Sequence, residues 1–408
     1  MMPVETVYRD TVFREAVFRE AWPLVVASTA RLTRDLDLAE DCVQDAVERA
    51  LRARPDNLAA WLTTTAHRIA LDRLRREATL RRKLPLLVVP EDPDPGPGPT
   101  DPLRLVFTCC HPALARASQV ALTLRLVCGV EVRTVADVLL TGEAGVARRI
   151  TRAKRKIAAA RIPYRVPPDD ELAGRLDVVL TVVHLLHTAG HVGPGTGLTD
   201  ADLTARASGL ARMLVRLLPT EPEPRALLGL ILLTEARGPA RTDAAGEAVL
   251  LADQDRTQWD RDLIREGLQL VTAALRAGPQ GRFALQGAVA GLHAVAPSWA
   301  ETDWAQVVTT YDALLRTWPS PVVALNRAAA RSRLPGADLR AILHEVDTLD
   351  LGDYRYLPAT RADLLTRLGR TAEAAAAYED ALALTTNPVE RALLLRRRSE
   401  IDPRVVRS

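Results

Sequence analysis

The sequence predicts an all-α protein, and three observations support that prediction. Alanine, leucine and arginine dominate the chain, while aromatic residues make up only 4% of it; this composition favours helix over strand. Apolar residues recur every three or four positions in most segments, which is the spacing of one face of a helix. The length of 408 residues exceeds a single ordinary core and indicates two or three domains. We therefore expect two small helical domains, the second a helix-turn-helix, joined by a Pro-rich linker and followed by a C-terminal helical-repeat domain.

A run of prolines divides the front of the chain. The prolines occupy positions 85, 90, 93, 95, 97, 99 and 102. Proline lacks a backbone donor and disfavours helix interiors, so this acidic segment is predicted to be a linker. In extended polyproline II geometry, at ~3.1 Å per residue, residues 85–102 reach roughly 55 Å. The predicted division of the chain is 1–84, the linker 85–101, 102–165 and 166–408.

Helical periodicity is found on both sides of this linker. The predicted helices cover 6–32, 37–53 and 58–82 ahead of it, and 102–110, 113–127, 132–140 and 143–160 behind it. Near the C-terminus, Leu368-Gly369, Ala374, Tyr378 and Ala381 have the spacing of a tetratricopeptide helical hairpin, with small residues where two helices cross. The C-terminal domain is therefore predicted to be tetratricopeptide-like.

The cysteines suggest metal or redox chemistry at first sight, above all in the run LVFTCCHPAL at 105–114. Cys109 and Cys110 are neighbours, and neighbouring residues on a helix point about 100° apart, so they cannot readily share one metal. Pro112 ends the predicted helix at His111. We therefore expect the cysteines to be small buried apolar residues. The chain has no Cys-x-x-Cys pair, signal-peptide pattern or membrane-length apolar run, which predicts a cytoplasmic protein without membrane contact.

Basic residues are concentrated in the front of the chain and above all in one segment. Residues 1–165 hold 27 Lys and Arg against 20 Asp and Glu, or +7, so with a total of +3 the remainder carries −4. Within 143–160, Val146, Ile150, Ala153 and Ile157 form one apolar stripe. A solvated charged face is the usual interpretation of such a segment. The short helix ahead of it and the turn at Thr141-Gly142 favour a helix-turn-helix instead, whose second helix enters the major groove of DNA.

Two further helices suggest binding surfaces. The helix 58–82 places Trp61 beside threonines and arginines, a combination that suits unstacked, single-stranded bases, although a Trp that simply packs is about equally expected. The helix 37–53 has an acidic face, which cannot itself contact DNA and is better suited to a basic protein partner.

Four segments of the front of the chain together resemble the two conserved regions of extracytoplasmic-function sigma factors of RNA polymerase. These segments are LDLAEDCVQDAVERAL, AAWLTTTAHRIALDRLRRE, RLVFTCCHPAL and RITRAKRKIAAARIPYRVP. The rear of the chain, including LLADQDRTQWDRDLIREGL, resembles the long tetratricopeptide-like extension of one subgroup. The resemblance implies a non-enzymatic subunit that binds the polymerase core, at the beta-prime clamp and beta flap, and promoter DNA. The extension would replace a separate anti-sigma factor. No cofactor is implied.

The resemblance also implies roles for individual residues. The residues expected to bind core polymerase are Asp41, Gln44, Asp45 and Glu48. Those expected at the minus-10 element are Trp61, Thr64, Thr65, Arg68, Arg75 and Arg76. Those expected at the minus-35 element are Glu143, Ala144, Arg148, Arg149, Arg152, Lys154, Arg155 and Lys156.

Other interpretations remain open at this point. His184, His187 and His191 lie on one helical face and are a weak metal candidate that lacks a nearby fourth ligand. Asp253 and Asp255 resemble paired catalytic carboxylates, but acids ahead of a helix are more often caps. The rival functions are a stand-alone helix-turn-helix regulator with a helical sensor domain, and a helical scaffold that binds nucleic acid without sequence choice.

Overall fold

The structure, a computed structural model, describes residues 21–53, 55–81, 101–139, 141–191, 197–278 and 280–401. Those ranges contain α-helices, short 3₁₀ turns and one isolated antiparallel bridge between Thr242 and Ala248, with no strand. The predicted all-α class is confirmed. The linker predicted at 85–101 lies outside the described residues except for Asp101. None of the helices in the described ranges has the length and apolar character needed to cross a membrane.

The chain forms two compact units, Met1–Leu186 and His187–Ser408. The helices in the first are α1 (Trp22–Thr33), α2 (Leu36–Ala53), α3 (Leu58–Arg81), α4 (Asp101–Cys109), α5 (Arg116–Leu126), α6 (Val132–Val138), α7 (Glu143–Ala159) and most of α8 (Asp169–His191). The unit boundary falls inside α8, about twenty residues after the domain boundary predicted at 165.

The first unit has two helical groups that pack on each other. In the front group α1, α2 and α3 contact one another, and in the rear group α5, α6 and α7 do so. The groups meet through hydrogen bonds from Trp22 Nε1 to the Leu126 carbonyl, at 3.2 Å, and from the Tyr164 hydroxyl to the Ala27 carbonyl, at 2.7 Å. The segments expected on either side of the linker are therefore in direct contact.

The cysteines of the first unit are part of its core. Cys42, Cys109, Cys110 and Cys128 are all free and buried, which confirms the burial expected of Cys109 and Cys110. Burial, followed by the neighbouring Cys110 and Cys128, raises the pKa of the Cys109 thiol, and burial raises the pKa of Cys110 to about 12. No disulfide links these four residues.

The second unit is a series of helices in which each packs on its neighbours in sequence. Its helices are α9 (Ala201–Leu217), α10 (Pro222–Glu235), α11 (Arg261–Arg276), α12 (Arg282–Val295), α13 (Trp304–Thr317), α14 (Pro321–Arg331), α15 (Leu339–Asp347), α16 (Tyr356–Arg367), α17 (Thr371–Leu384) and α18 (Pro388–Ile401). This connectivity is typical of helical-repeat proteins, in which each repeat contacts only its neighbours.

Small residues allow close helix crossings in this unit. A Cβ at Gly229 would lie 2.8 Å from the Gly267 carbonyl oxygen, so α10 and α11 approach too closely for any side chain there. In the predicted tetratricopeptide hairpin, Ala374, Tyr378 and Ala381 are buried on α17 as expected. Gly369 has a φ of +72° in the turn between α16 and α17, a conformation that L-residues rarely adopt.

The buried thiols lead to a chemical prediction. Because the thiolate is the reactive form and burial both raises the thiol pKa and blocks access, none of the four cysteines should react with Ellman's reagent within minutes at pH 8. In guanidinium chloride all four cysteines of the chain should react. Rapid modification of a native cysteine would contradict this packing, and a peptide map of the product would identify the residue.

Candidate nucleic-acid interface

The outer face of α3 gathers the residues expected at the minus-10 element. Asn57 caps the helix, since its Oδ1 accepts from the Ala60 amide at 3.1 Å. Leu62, Ala66 and Ile69 are buried, so the residues between them face outward. Thr64, Arg68, Arg75 and Arg76 are exposed, while Trp61 and Thr65 are half-buried. Trp61 is thus only partly accessible to a base.

An open cavity of about 540 Å³ lies on this helix. Its lining comprises Thr63, Thr64, His67, Arg68, Leu71, Asp72 and Arg75. Two arginines, hydroxyl groups and an exposed leucine therefore share one concave surface. Sequence reasoning found Thr64, Arg68 and Arg75 but missed His67, which contacts Ser28 Oγ at 3.1 Å, and Leu71, which is 40% exposed. The spacing of residues 64, 68, 71 and 75 was a usable signal for Leu71.

The helix-turn-helix predicted behind the linker is formed by α6 and α7. The Thr141 amide donates to the Ala136 carbonyl at 3.0 Å, and the Val146 amide donates to the Gly142 carbonyl at 3.1 Å, so the turn between the helices is tight. Glu143 and Ala144 are exposed in the first turn of α7. The predicted apolar stripe is buried, with Val146 and Ile157 at 0% and 8% exposure.

The remaining face of α7 is cationic. Arg148, Arg152, Arg155 and Lys156 are exposed and Arg149 is half-buried. Within the described ranges, none of these five side chains forms an ion pair with a carboxylate. Five cations without counter-charges on one helical face are suited to an extended polyanion.

Lys154 differs from the other seven residues expected at the minus-35 element. Its side chain is only 8% exposed, and its Nζ lies 2.7 Å from both Asp37 Oδ1 and Glu40 Oε2 on α2. Arg125 on α5 joins the same carboxylate, with its Nη2 2.9 Å from Glu40 Oε1. We call Asp37, Glu40, Arg125 and Lys154 the α2–α7 ion cluster. In this arrangement Lys154 binds protein, and the expected phosphate contact is not available to it.

The pKa of Lys154 reflects this environment. Burial alone would lower the pKa of the ammonium, but the carboxylates of Glu40 and Asp37 outweigh burial and the pKa is raised. A sequence signal for this was present, because Lys154 lies four residues after Ile150 and three before Ile157, both on the buried stripe. Its partners were not predictable because they are 114 and 117 positions away.

The acidic face of α2 carries the residues expected to bind core polymerase. Asp41, Gln44 and Glu48 are exposed and Asp45 is half-buried. Arg73 on α3 lies beside two of them, with its Nη2 2.7 Å from Asp45 Oδ2 and its Nη1 3.7 Å from Asp41 Oδ2. Arg73 therefore neutralises part of this acidic face, while Glu48 extends the acidic surface beyond Arg73.

The two other candidate sites of the sequence have ordinary packing roles. His187 and His191 have ring centroids 5.8 Å apart, and Arg241 Nη1 lies 3.2 Å from His191 Nδ1. No group of three potential ligands in the described part of the chain is arranged to hold a metal. Asp255 caps a 3₁₀ turn by accepting from the Thr257 amide at 2.9 Å, as the capping interpretation expects.

Comparisons with known proteins match both halves of the chain. The Sigma-70 region 2 family matches residues 17–79, which span α1, α2 and most of α3. The family of unknown function DUF6596 matches residues 175–275.

Uncharacterized protein R00370 of Rhizobium meliloti (strain 1021) is 39% identical over 391 residues, 92% of each chain. ECF RNA polymerase sigma factor SigJ of Mycobacterium tuberculosis (strain ATCC 25618 / H37Rv) is 31% identical over 224 residues, 49% of this chain and 68% of SigJ. The chain belongs to the ECF sigma factors.

Further similarities of this sigma factor are partial. Probable ECF RNA polymerase sigma factor SigI of Mycobacterium tuberculosis (strain CDC 1551 / Oshkosh) is 28% identical over 151 residues, 34% of this chain and 52% of SigI. The crystal structure of yeast Tom70 aligns with 98% of this chain and 86% of its own at 11% identity, but its TM-score of 0.39 is too low to bear on the fold. The family predicted from the sequence is confirmed.

The α2–α7 ion cluster leads to a stability prediction. Replacing Lys154 by Ala leaves Glu40 with only Arg125 and removes the ion pair of Asp37. Removing one partner from a fully buried pair costs about 3–5 kcal/mol, and the cost here should not exceed the lower end of that range because Glu40 keeps Arg125 and Asp37 is 65% exposed. Hydrogen exchange of the full sigma factor, followed peptide by peptide, should therefore show faster exchange in α2 and α7 but not in α9–α18. The control Lys156→Ala removes an exposed cation from the same helix and should change exchange little. Equal exchange in the two variants would contradict a stabilising role for Lys154.

Proposed function

We propose that this sigma factor directs initiation at specific promoters by binding the polymerase core and both promoter elements, and that its helical extension modulates that activity. The observation that supports the proposal most is the outer face of α7, where five cations have no carboxylate partner among the residues that the structure describes and adjoin a helix-turn-helix turn. Exposed cations in that position hold phosphates, while the first turn of the helix reads base edges.

Roles on α7 follow from position. Glu143, Ala144, Arg148 and Arg149 lie in the first two turns and would face bases, and arginine matches the two acceptors of guanine. Arg152, Arg155 and Lys156 lie farther along and would hold phosphate. Lys154 would take its expected phosphate role only if its ion pairs with α2 opened.

The α3 cavity supports a minus-10 role. Cationic Arg68 and Arg75, the hydroxyl of Thr64 and the exposed Leu71 offer charge for the backbone and apolar surface for an unstacked base. Thr65, Trp61 and Arg76 would extend this surface along the helix. The acidic residues Asp41, Asp45 and Glu48, with the neutral Gln44 among them, would face a basic surface of the core, in the beta-prime clamp, while the helix-turn-helix would meet the beta flap.

In vitro transcription tests the proposal as a whole. Core RNA polymerase is combined with the full chain, or with a chain ended after residue 191 so that α8 stays whole, over a pool of promoter fragments. Initiation at defined sites is the expected result, and the ratio of the two activities gives the direction in which the extension acts. DNA binding by the protein alone, without initiation, would support the stand-alone regulator instead.

Charge reversal on α7 should separate DNA reading from core binding. Arg148→Glu with Arg149→Glu places like charge against DNA and should abolish site-selective initiation, whereas affinity for the core should stay within about twofold of the wild type because neither side chain belongs to the acidic face of α2 that is assigned to the core. The reciprocal control, Asp41→Lys with Glu48→Lys, should weaken core binding instead. Both are measured by transcription and by core-binding titration, and loss of both properties in the α7 variant would contradict the assignment.

Salt dependence should distinguish the cations of α7. Each phosphate contact contributes about 0.9 to the slope of log affinity against log salt, so Arg155→Ala should lower the slope for polymerase bound to a promoter fragment by about 1. Lys154→Ala should leave the slope unchanged, because its ammonium is already neutralised by Asp37 and Glu40. Equal slopes for Arg155→Ala and the wild type would remove Arg155 from the phosphate contacts.

A further inference from the structure

The second unit contains a cluster of basic side chains that lacks acidic partners. Arg237 follows α10, Arg241 follows the 3₁₀ turn Gly238–Ala240, and Arg256 lies in the 3₁₀ turn Arg256–Gln258. None of the three forms an ion pair with a carboxylate of the described residues. We call these three residues the arginine cluster.

Two members of the arginine cluster are held in place by main-chain carbonyls. Arg241 Nη1 donates to the His191 carbonyl at 2.7 Å, and Arg256 Nη1 donates to the carbonyls of His293 and Ala296 at 2.6 and 2.7 Å. Such bonds at helix C-termini are common capping contacts. They orient the guanidinium groups, but a neutral carbonyl does not cancel a full charge.

Arg237 has no such anchor. No hydrogen bond or ion pair to its guanidinium is found among the described residues, although it is affected by both of its neighbours. Burial, and after it Arg256, lowers the pKa of Arg237 to about 10, and burial followed by Arg237 lowers the pKa of Arg241 to about 10. The Arg237 guanidinium is therefore repelled by both Arg241 and Arg256 in a partly desolvated place.

The surrounding groups supply little compensation. Glu390, the acid that acts on Arg241, is bound by Arg355 at 3.0 Å and by the Tyr356 hydroxyl at 2.7 Å. Glu301, the acid that acts on Arg256, accepts from Ser298 at 2.7 Å. Glu390 is thus already paired with a cation, whereas Glu301 keeps its charge and offsets part of the effect of burial on Arg256.

In later helices of the same unit, half-buried arginines are paired with carboxylates. Arg327 is bonded to Asp312 and Glu345, Arg333 to Asp363 at 2.8 Å, and Arg361 to Asp347 at 2.8 Å. Half-buried arginines in that part of the chain have carboxylates, as isolated charge in a low-dielectric place is costly. The arginine cluster departs from this pattern.

Unused polar atoms lie beside the cluster. Arg256 Nη2 and His293 Nδ1 are buried with no hydrogen-bond partner in the described structure. Trp259 lies under Arg256, with the guanidinium carbon 4.6 Å from its ring centroid, and His293 stacks on Trp299 at 6.1 Å. Rigid aromatic rings therefore border donors that point at no acceptor.

From this arrangement we propose that Arg237, Arg241 and Arg256 form a binding site for an oxyanion, a phosphate or a carboxylate group, on the extension of the sigma factor. Guanidinium groups bind both anions in bidentate fashion, and two of the three are already oriented by the carbonyls they cap. The bound anion would neutralise the repulsion among the three cations and accept from the free Arg256 Nη2. The extension would then respond to an anionic small molecule or to the acidic group of a peptide.

Ligand titration tests this site directly on the full chain. Sodium phosphate in one arm and sodium succinate in the other are added at constant ionic strength, with sodium chloride as the reference, and tryptophan emission is followed because Trp259 contacts Arg256. A saturable change with at least one probe, weakened tenfold or more in Arg237→Gln, is the expected result. The responding probe identifies the source as phosphate or carboxylate. A change that is linear in concentration and equal in wild type and Arg237→Gln would be a general salt effect and would overturn the proposal.

Stability without ligand gives an independent test. In chloride buffer, Arg237→Gln should raise the melting temperature of the second unit because it removes like-charge repulsion. The matched control Arg327→Gln should lower it, because Asp312 and Glu345 lose their partner. If Arg237→Gln destabilised the unit as much as Arg327→Gln does, Arg237 would be a structural side chain and the site would be disproved.

Discussion

The ion pairs of Glu40 are the constraint on which the arrangement of the first unit depends. This carboxylate is 11% exposed in its side chain and is held by Lys154 from α7 and Arg125 from α5. Burying two opposite charges costs desolvation free energy, so the pair adds little net stability. Separating the pair once it is buried is also costly, so the pair favours one geometry over others. Asp37 adds the fourth charge, so the cluster is neutral overall. These ion pairs thus join one helix of the front group to two helices of the rear group, in addition to the hydrogen bonds of Trp22 and Tyr164.

Arginine side chains have different partners in different parts of the second unit. From α13 to α17, arginines and carboxylates on different helices form pairs, so each helix is tied to a neighbour by charge as well as by apolar contacts. From α10 to α12, the close crossing of α10 and α11 at Gly229 and Gly267 provides packing. Glu266 of α11 is still paired with Arg212 of α9, but Arg241 and Arg256 cap helix ends instead. The same residue type therefore stabilises helix pairs in one part of the unit and concentrates positive charge in another.

Local features of this chain were predictable from sequence, whereas long-range pairings were not. The helix predicted at 143–160 is observed as Glu143–Ala159, and its stripe Val146, Ile150, Ala153 and Ile157 is buried, because helical periodicity is a property of neighbouring residues. Lys154 is paired with carboxylates more than a hundred positions away, and helical periodicity does not predict a pairing over that separation. The arginine cluster was missed for a related reason, since it is defined by the lack of ion-paired carboxylates, among the described residues, around side chains that come from two separate turns.

The sequence separation within the α2–α7 ion cluster also determines which contacts can form early and which must form late as the chain is synthesised. Helices of the second unit pack mainly on their neighbours in sequence, and such short-range contacts form quickly, whereas Glu40 and Lys154 close a loop of 114 residues. During synthesis at about 5–20 residues per second, roughly 6–23 s pass between the appearance of Glu40 and that of Lys154. Arg125 follows Glu40 by 85 residues, so for most of that interval the nascent α2 presents the carboxylates of Asp37 and Glu40 without either basic partner, and Lys154 is absent throughout. The acidic helix is thus complete on the ribosome well before its own basic partners exist.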